Sequence, residues 1–272
     1  MTKHKKQFST FTHDAVNVQK EAFDIHFNPQ DLKRWKSHIT DDPVVRYAQD
    51  RRLRRGLEKL CELNKLELEK ILHWNVLTIC AGTGGEGMHL SRLGFESVTV
   101  SDISNNALTV CNELAPNLHT LQLNAETMDL EDNSFDLVVV QAGLHHLPRP
   151  ALGLTEMLRV ARKAIIVLEP HTGFVPNLIG TEWEEQGDAR NYVFRWNQNI
   201  FEQVTRSYLL SDTVLVQAYK DWEHGQFILK VARRFPVVMQ LGLMKFIYGV
   251  LNTLFPMLGN KFIGIVIKNG EP

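Results

Sequence analysis

Cys80-Ala81-Gly82-Thr83-Gly84-Gly85-Glu86-Gly87 places glycines at 82, 84 and 87 and so fits the spacing G-x-G-x-x-G. Between a strand and a helix, such a turn aims backbone N–H groups at a ligand, and only glycine allows so close an approach. Asp102 ends the next apolar run. A carboxylate there can accept both ribose hydroxyls of an adenosine, or it can cap the helix that follows, a task Ser104 performs equally well. Two further sites carry titratable groups at the ends of apolar runs, His145-His146 and Glu169-Pro170-His171. A histidine near its ordinary pKa suits proton abstraction at neutral pH.

These residues need elements to hold them. Five apolar runs read as strands: 76–80, 97–101, 120–123, 135–140 and 164–168. Helical segments alternate with them, 88–93, 107–114 and 152–161, and this alternation predicts a parallel sheet covered on both faces. In such sheets ligands sit at the carboxyl ends of the strands, where the candidate residues fall. Two more runs, 214–218 and 262–267, complete a Rossmann-like, mostly parallel seven-stranded α/β fold. Residues 1–74 read as a charged helical N-terminal arm, with Asp41-Asp42-Pro43 opening a helix and Leu53, Leu57 and Leu60 at helical spacing. Its Arg51, Arg52, Arg54 and Arg55 suit a solvated face. If one of them binds, its expected partner is a ligand carboxylate. The remainder, 75–272, reads as one cofactor-binding domain with insertions at 171–199, an aromatic lid, and at 221–260.

The glycine pattern alone does not choose among nicotinamide, flavin and S-adenosylmethionine (SAM). The segments Val76 to Gly85, Val100 to Ser104, and Leu123-Asn124-Ala125-Glu126 followed by Asp132 to Val139 narrow the choice. With Gly143-Leu144-His145-His146-Leu147, they make residues 75–170 resemble the class I SAM-dependent methyltransferases, in the small-molecule branch called methyltransferase type 11. The resemblance implies that Ala81, Gly82 and Gly84 line the methionyl part of SAM and that Asp102 holds its ribose. It further implies that Ile103 packs on the adenine, that Asn124 and the backbone of Ala125 face the adenine edge, and that Gln141 closes the sulfonium side. Three positions depart from the family. An acid is usual at Thr78, a glycine at Cys80 and often an aspartate at Asn124. A side chain at Cys80 implies a more open turn or a negative φ.

Methyl transfer from a sulfonium asks mainly for alignment and exclusion of water. A base is needed only where the acceptor sheds a proton, and His146 and His171 are the candidates. Adjacent histidines project differently and no second ligand pair stands nearby, so no metal is expected. No serine or cysteine occupies a G-x-S-x-G elbow. The expected activity is therefore SAM-dependent methyl transfer to a small or lipid-linked molecule, with a hydroxyl oxygen as target and S-adenosyl-L-homocysteine as product. Tyr192, Arg195 and Trp196 are candidates to shape the acceptor pocket. An NAD-dependent oxidoreductase would share the glycine turn and Asp102, but no Tyr-x-x-x-Lys is present; a non-catalytic SAM-binding protein is the other alternative.

Composition bounds the partners. The chain has 272 residues, is 44% hydrophobic and carries a formal net charge of -1, so no overall field draws it to nucleic acid. Three widely spaced cysteines make no disulfide framework, and the basic N-terminus lacks the apolar run of a signal peptide, which points to the cytoplasm. Residues 237–258 are apolar but interrupted by Gln240, Lys245, Asn252 and Pro256. They read as a helix packed on the core or capping a pocket, with peripheral membrane contact as the alternative.

Overall fold

The computed structural model describes residues 14–186, 189–223 and 225–268; the basic start of the chain, residues 1–13, lies outside them. The strands are β1 (Asn75–Ile79), β2 (Ser97–Asp102), β3 (His119–Gln122), β4 (Phe135–Gln141), β5 (Ala161–Pro170), β6 (Trp183–Gln186), β7 (Ala189–Tyr192), β8 (Leu215–Asp221) and β9 (Lys261–Ile267). Seven of them form one sheet in the order β3-β2-β1-β4-β5-β9-β8. The first five pair in parallel, and β9 runs antiparallel to both β5 and β8. β6 and β7 form a separate hairpin, within the stretch read from sequence as a lid.

The helices are α1 (Ala15–His26), α2 (Leu32–Trp35), α3 (Pro43–Asn64), α4 (Gly85–Leu93), α5 (Asn105–Leu114), α6 (Pro150–Val160), α7 (Phe174–Ile179), α8 (Gln198–Leu209), α9 (Gly225–Ala232) and α10 (Val237–Leu254). Apolar residues alternate across the sheet into two cores. On one face Val76, Val100, Leu137 and Ile166 pack with Leu53, Leu57 and Leu60 of α3. On the other Leu77, Val138 and Val167 pack with α6 and with Trp196 and Phe201. The helical spacing in α3 thus covers the sheet, and Asp42 caps that helix by accepting from Val44 N and Val45 N.

The turn after β1 is built on left-handed backbone. Gly84 has φ 83, and a Cβ there would collide with Cys111 Sγ, so this position requires glycine on both counts. Cys80 has φ 49. A more open turn or a negative φ was expected once a side chain replaced the usual glycine; the chain keeps the left-handed glycine conformation and carries the strain. A left-handed L-residue costs roughly 1–2 kcal/mol. Cys80→Gly should therefore change stability by less than about 1 kcal/mol, strain relief offsetting added chain entropy. Cys80→Val, β-branched at the same φ, should lose on the order of 2 kcal/mol in urea denaturation.

Candidate active site

Two hollows flank the glycine turn. The first, about 130 Å³, lies over the ends of β2 and β4 and is lined by Gly82, Asp102, Ile103, Asn124 and Ala125 together with Cys80, Glu126 and His146. Asp102, Ile103, Asn124 and Ala125 are the four residues expected to meet the adenosine, and Gly82 is one of those expected to meet the methionyl part. Asp102 is buried, which raises its pKa, while its two oxygens accept from Gly82 N at 2.8 Å and Ser104 N at 2.9 Å. Ser104 is the helix cap, its Oγ accepting from Ala107 N, so Asp102 is not needed for that task. Asn124 Oδ1 accepts from Glu126 N, and Arg149 holds the buried Glu126 carboxylate.

The N-terminal arm closes this hollow, which the sequence pattern did not disclose. Val16, Gln19, Phe23 and Phe27 of the α1 region line it, and a Cβ on Gly82 would stand 3.1 Å from the Phe27 ring. Asp24 fastens α1 to the start of α5, accepting from Ser104 Oγ at 2.7 Å. The amphipathic spacing of Phe23 and Phe27 was the available signal. What it packed against was set by a contact remote in sequence.

The second hollow is a cleft of about 650 Å³ on the other side of the turn, lined by Arg52, Glu86, Gln141, Glu223, Phe227 and Lys261 among others. Gln141 ends β4 at the boundary between the two, donating from Nε2 to Glu86 Oε1 at 2.8 Å. Burial pushes the Glu86 carboxyl up to about 7, against the opposing pull of its own backbone N–H, Arg52 and Gln141. Glu86 stands between Gly85 and Gly87, where the glycine spacing gives no sign of a titratable role. Of the α3 arginines, Arg51 is tied to Asp221, and Arg52 faces the cleft. Arg52 Nη1 lies 3.1 Å from Glu223 Oε2, an ion pair in which neither buried atom has an aligned hydrogen-bond partner.

Ala81 and Gly84 line neither hollow. Ala81 N donates to Ser101 O and Gly84 N donates to Ala81 O, so both shape the turn. Gln141 lines the cleft rather than the adenosine side. His171 also lines neither; it is buried, and its Nδ1 donates to the Trp196 carbonyl at 2.9 Å. That contact makes it a clasp between the end of β5 and the segment after β7. Of Tyr192, Arg195 and Trp196, expected to shape the acceptor pocket, none lines either hollow. Trp196 is fully buried in the core, Tyr192 is exposed, and Arg195 donates to Thr181 O.

His145 and His146 divide sharply. Glu169, wholly buried, accepts from Gly143 N, Leu144 N and His145 Nδ1 at 2.7, 2.8 and 2.6 Å. Burial disfavours charge on His145, yet Glu169 and then Glu184 raise it to about 9. Burial and the neighbouring His145 charge take His146 down to about 4, so it is neutral at pH 7. No ligand set was visible in the spacing, but folding brings His145, His146 and Glu184 donor atoms within 4.8 Å of one another. The ion pairs of His145 with Glu169 and Glu184 account for this cluster.

Comparison with known proteins bears on this geometry. A methyltransferase domain family model matches residues 77–167. The ubiquinone/menaquinone biosynthesis C-methyltransferase of Azotobacter vinelandii is 34% identical over 125 residues, 42% of this chain and 49% of that protein. The corresponding protein of Stenotrophomonas maltophilia is 38% identical over 95 residues, 32% of this chain and 38% of its own. A demethylmenaquinone methyltransferase of Renibacterium salmoninarum is 32% identical over 104 residues, 37% of this chain and 44% of its own. The chain thus spans about half the length or less of these relatives. Among solved structures, a SAM-dependent methyltransferase from Thermotoga maritima aligns with TM-score 0.54 at 15% identity, covering 92% of this chain and 99% of that one. The [4+2]-cyclase SpnF aligns with TM-score 0.51 at 15% identity, covering 79% and 80%. At that identity the likeness speaks to fold, and one fold hosts several chemistries. The matched segment contains the glycine turn, the buried Asp102 and the Asn124-Ala125 edge of the cradle. Residues 77–167 therefore carry a methyltransferase domain, with S-adenosyl-L-methionine as the cofactor its cradle suits.

Proposed function

We propose that the protein transfers the methyl of SAM to a ring carbon of a hydroxylated, lipid-linked aromatic acceptor of the quinol class. The observation that carries this reading is the cleft beyond the glycine turn, roomy enough for an aromatic ring, whose wall residue Gln141 is followed in the chain by Ala142 of the cradle. The relatives' printed activity, methylation at carbon in quinone biosynthesis, supports the acceptor class. The hydroxyl oxygen expected from sequence finds no support among them, and nothing favours a nicotinamide oxidoreductase. Peripheral membrane contact through residues 237–258 fits an acceptor that resides in lipid.

The cofactor, when bound, supplies an electrophilic methyl whose leaving thioether departs neutral. The chain does the rest. Asp102 keeps lone pairs for the ribose hydroxyls after accepting from Gly82 N and Ser104 N. Glu86, matched to neutral pH, takes the acceptor hydroxyl proton, so that charge passes into the ring and onto the carbon that attacks. Arg52 and Lys261 set positive potential around that oxygen. The ring carbon then sheds its own proton to solvent, and the oxygen recovers the one held by Glu86. His146, neutral and on the adenosine side, orients rather than abstracts.

Methyl-labelled SAM incubated with a short-chain demethylated quinol tests this. The expected product carries the label on a ring carbon. A labelled methyl ether, or no transfer from a protein that binds SAM, would overturn it.

A further inference from the structure

We infer that α9, α10 and the turns around them form a docking face for an anionic lipid bilayer. The inference rests on the proposed lipid-linked acceptor only for what then enters the cleft; the docking itself stands on the surface. Among the described residues, α10 is one helix long and apolar enough to cross a membrane. Of its eighteen residues only Met244 and Tyr248 are fully buried, packed with Val44, Ile228 and Ala232. The opposite side is apolar and bare. Met239 is 53% exposed and Phe246 67%, and Val237 and Val238 in the first turn are 78% and 92% exposed. The turns continue it, with Phe235 before the helix and Phe255, Met257 and Leu258 after it, all exposed. A packed core helix, the reading favoured by its interrupted sequence, describes only one side of α10. Contiguous apolar surface on this scale marks an interaction site.

Charge says which kind. No acidic residue lies between Glu223 and Glu271, although the chain as a whole carries a net charge of -1. Within that span Lys230, Arg233, Arg234 and Lys245 are exposed. Their nearest engagements are loose, Arg233 lying 3.8 Å from Asp42 and Lys245 5.9 Å from the Tyr47 ring. Cations around an apolar strip complement anionic headgroups over a hydrocarbon layer, each worth about fivefold in partitioning.

Crossing is disfavoured by the inner side. Arg51 stacks over Tyr248 at 3.9 Å while paired with Asp221, and Asn252 accepts from Trp222 N. Pulling α10 through a bilayer would break these and leave Arg51 and Asp221 without their cover. The helix, about 27 Å long, lies instead in the interfacial plane. Phe227 of α9 both faces outward and lines the cleft, so the docking face adjoins the cleft wall.

Sedimentation with vesicles tests the inference without requiring methyl transfer. Full-length protein should partition onto mixed phosphatidylglycerol and phosphatidylcholine vesicles at least about tenfold better than onto phosphatidylcholine alone. Val238→Glu with Phe246→Glu should abolish binding to both, and Arg233→Glu with Arg234→Glu should remove the preference for anionic lipid. Unchanged SAM affinity in a calorimetric titration shows that the variants are folded. Protein left in the supernatant with both vesicles, or glutamate variants that bind like the parent, would overturn it. So would a dimer that ignores vesicles and is split by the glutamate pair, which assigns the face to a second copy. Vesicle binding without transfer to quinols would sink the catalytic reading and leave the docking face standing.

Discussion

Asp102→Ala is expected to weaken binding of SAM and of S-adenosyl-L-homocysteine on the order of 100-fold in calorimetric titration, because hydrogen bonds to a charged group contribute about 1.5–3 kcal/mol each. Both carboxylate oxygens are already half engaged, one by Gly82 N and one by Ser104 N. Each retains acceptor capacity on the side of the cradle, which suits two ribose hydroxyls. Burial raises the carboxyl's pKa, and the N–H donors of Ser104 and Gly82 pull the other way. Alanine also frees Gly82, whose φ of 51 shapes the turn, so part of the loss would come from the backbone. Asp102→Asn separates the two effects. It keeps one carbonyl acceptor and should lose roughly tenfold, about 1.4 kcal/mol. Affinity untouched by either change would place the ribose elsewhere.

Much of the frame was legible because it depends on local pattern. Val76–Ile79 and Leu137–Val140 are short, largely apolar runs bounded by turn residues, as strands covered on both faces require, and Val98–Val100 alternates in burial. All seven strands of the sheet fall close to where those runs stand, and the glycine turn and Asp102 follow at their ends. What the pattern could not show was the direction of β9, which inserts antiparallel between β5 and β8. Nor could it show partners remote in the chain. His171 meets the Trp196 carbonyl, and Phe27 meets Gly82, through contacts that no spacing encodes.

The histidine pair shows the same limit at a finer scale. His145 and His146 are chemically identical and adjacent, and only the fold sets them apart. Glu169 ends β5 wholly buried, so its charge must be met; three backbone N–H groups and His145 Nδ1 do so. Burial opposes the ionisation of Glu169, yet His145 and those donors hold its pKa below the usual carboxylate range. The imidazolium thus fixed reaches Glu184 on β6, tying the hairpin to the core. His146, beside that charge, is the member left neutral.

Replacing Glu86 by glutamine should change two pH profiles at once. With the carboxyl near 7 in the folded protein and 4.5 as its ordinary value, the native state holds a proton that the unfolded chain releases between those limits. Stability from this group is complete below about 4.5 and is lost as pH rises through about 7, by no more than about 3 kcal/mol. Glu86→Gln should flatten that slope and be the more stable protein at pH 8, as read by urea unfolding across pH. In catalysis the sign is opposite, since only the ionised carboxylate accepts the acceptor's proton. For the parent, kcat/KM should climb through about 7 to a plateau; the glutamine protein should lack the rise and sit about 100- to 10,000-fold lower. Gln141 would keep an amide neighbour in place of an acid, so the wall of the cleft keeps its shape. A variant that retained the parent's pH profile in kcat/KM would move the proton acceptor away from Glu86, with His146 the next group to substitute.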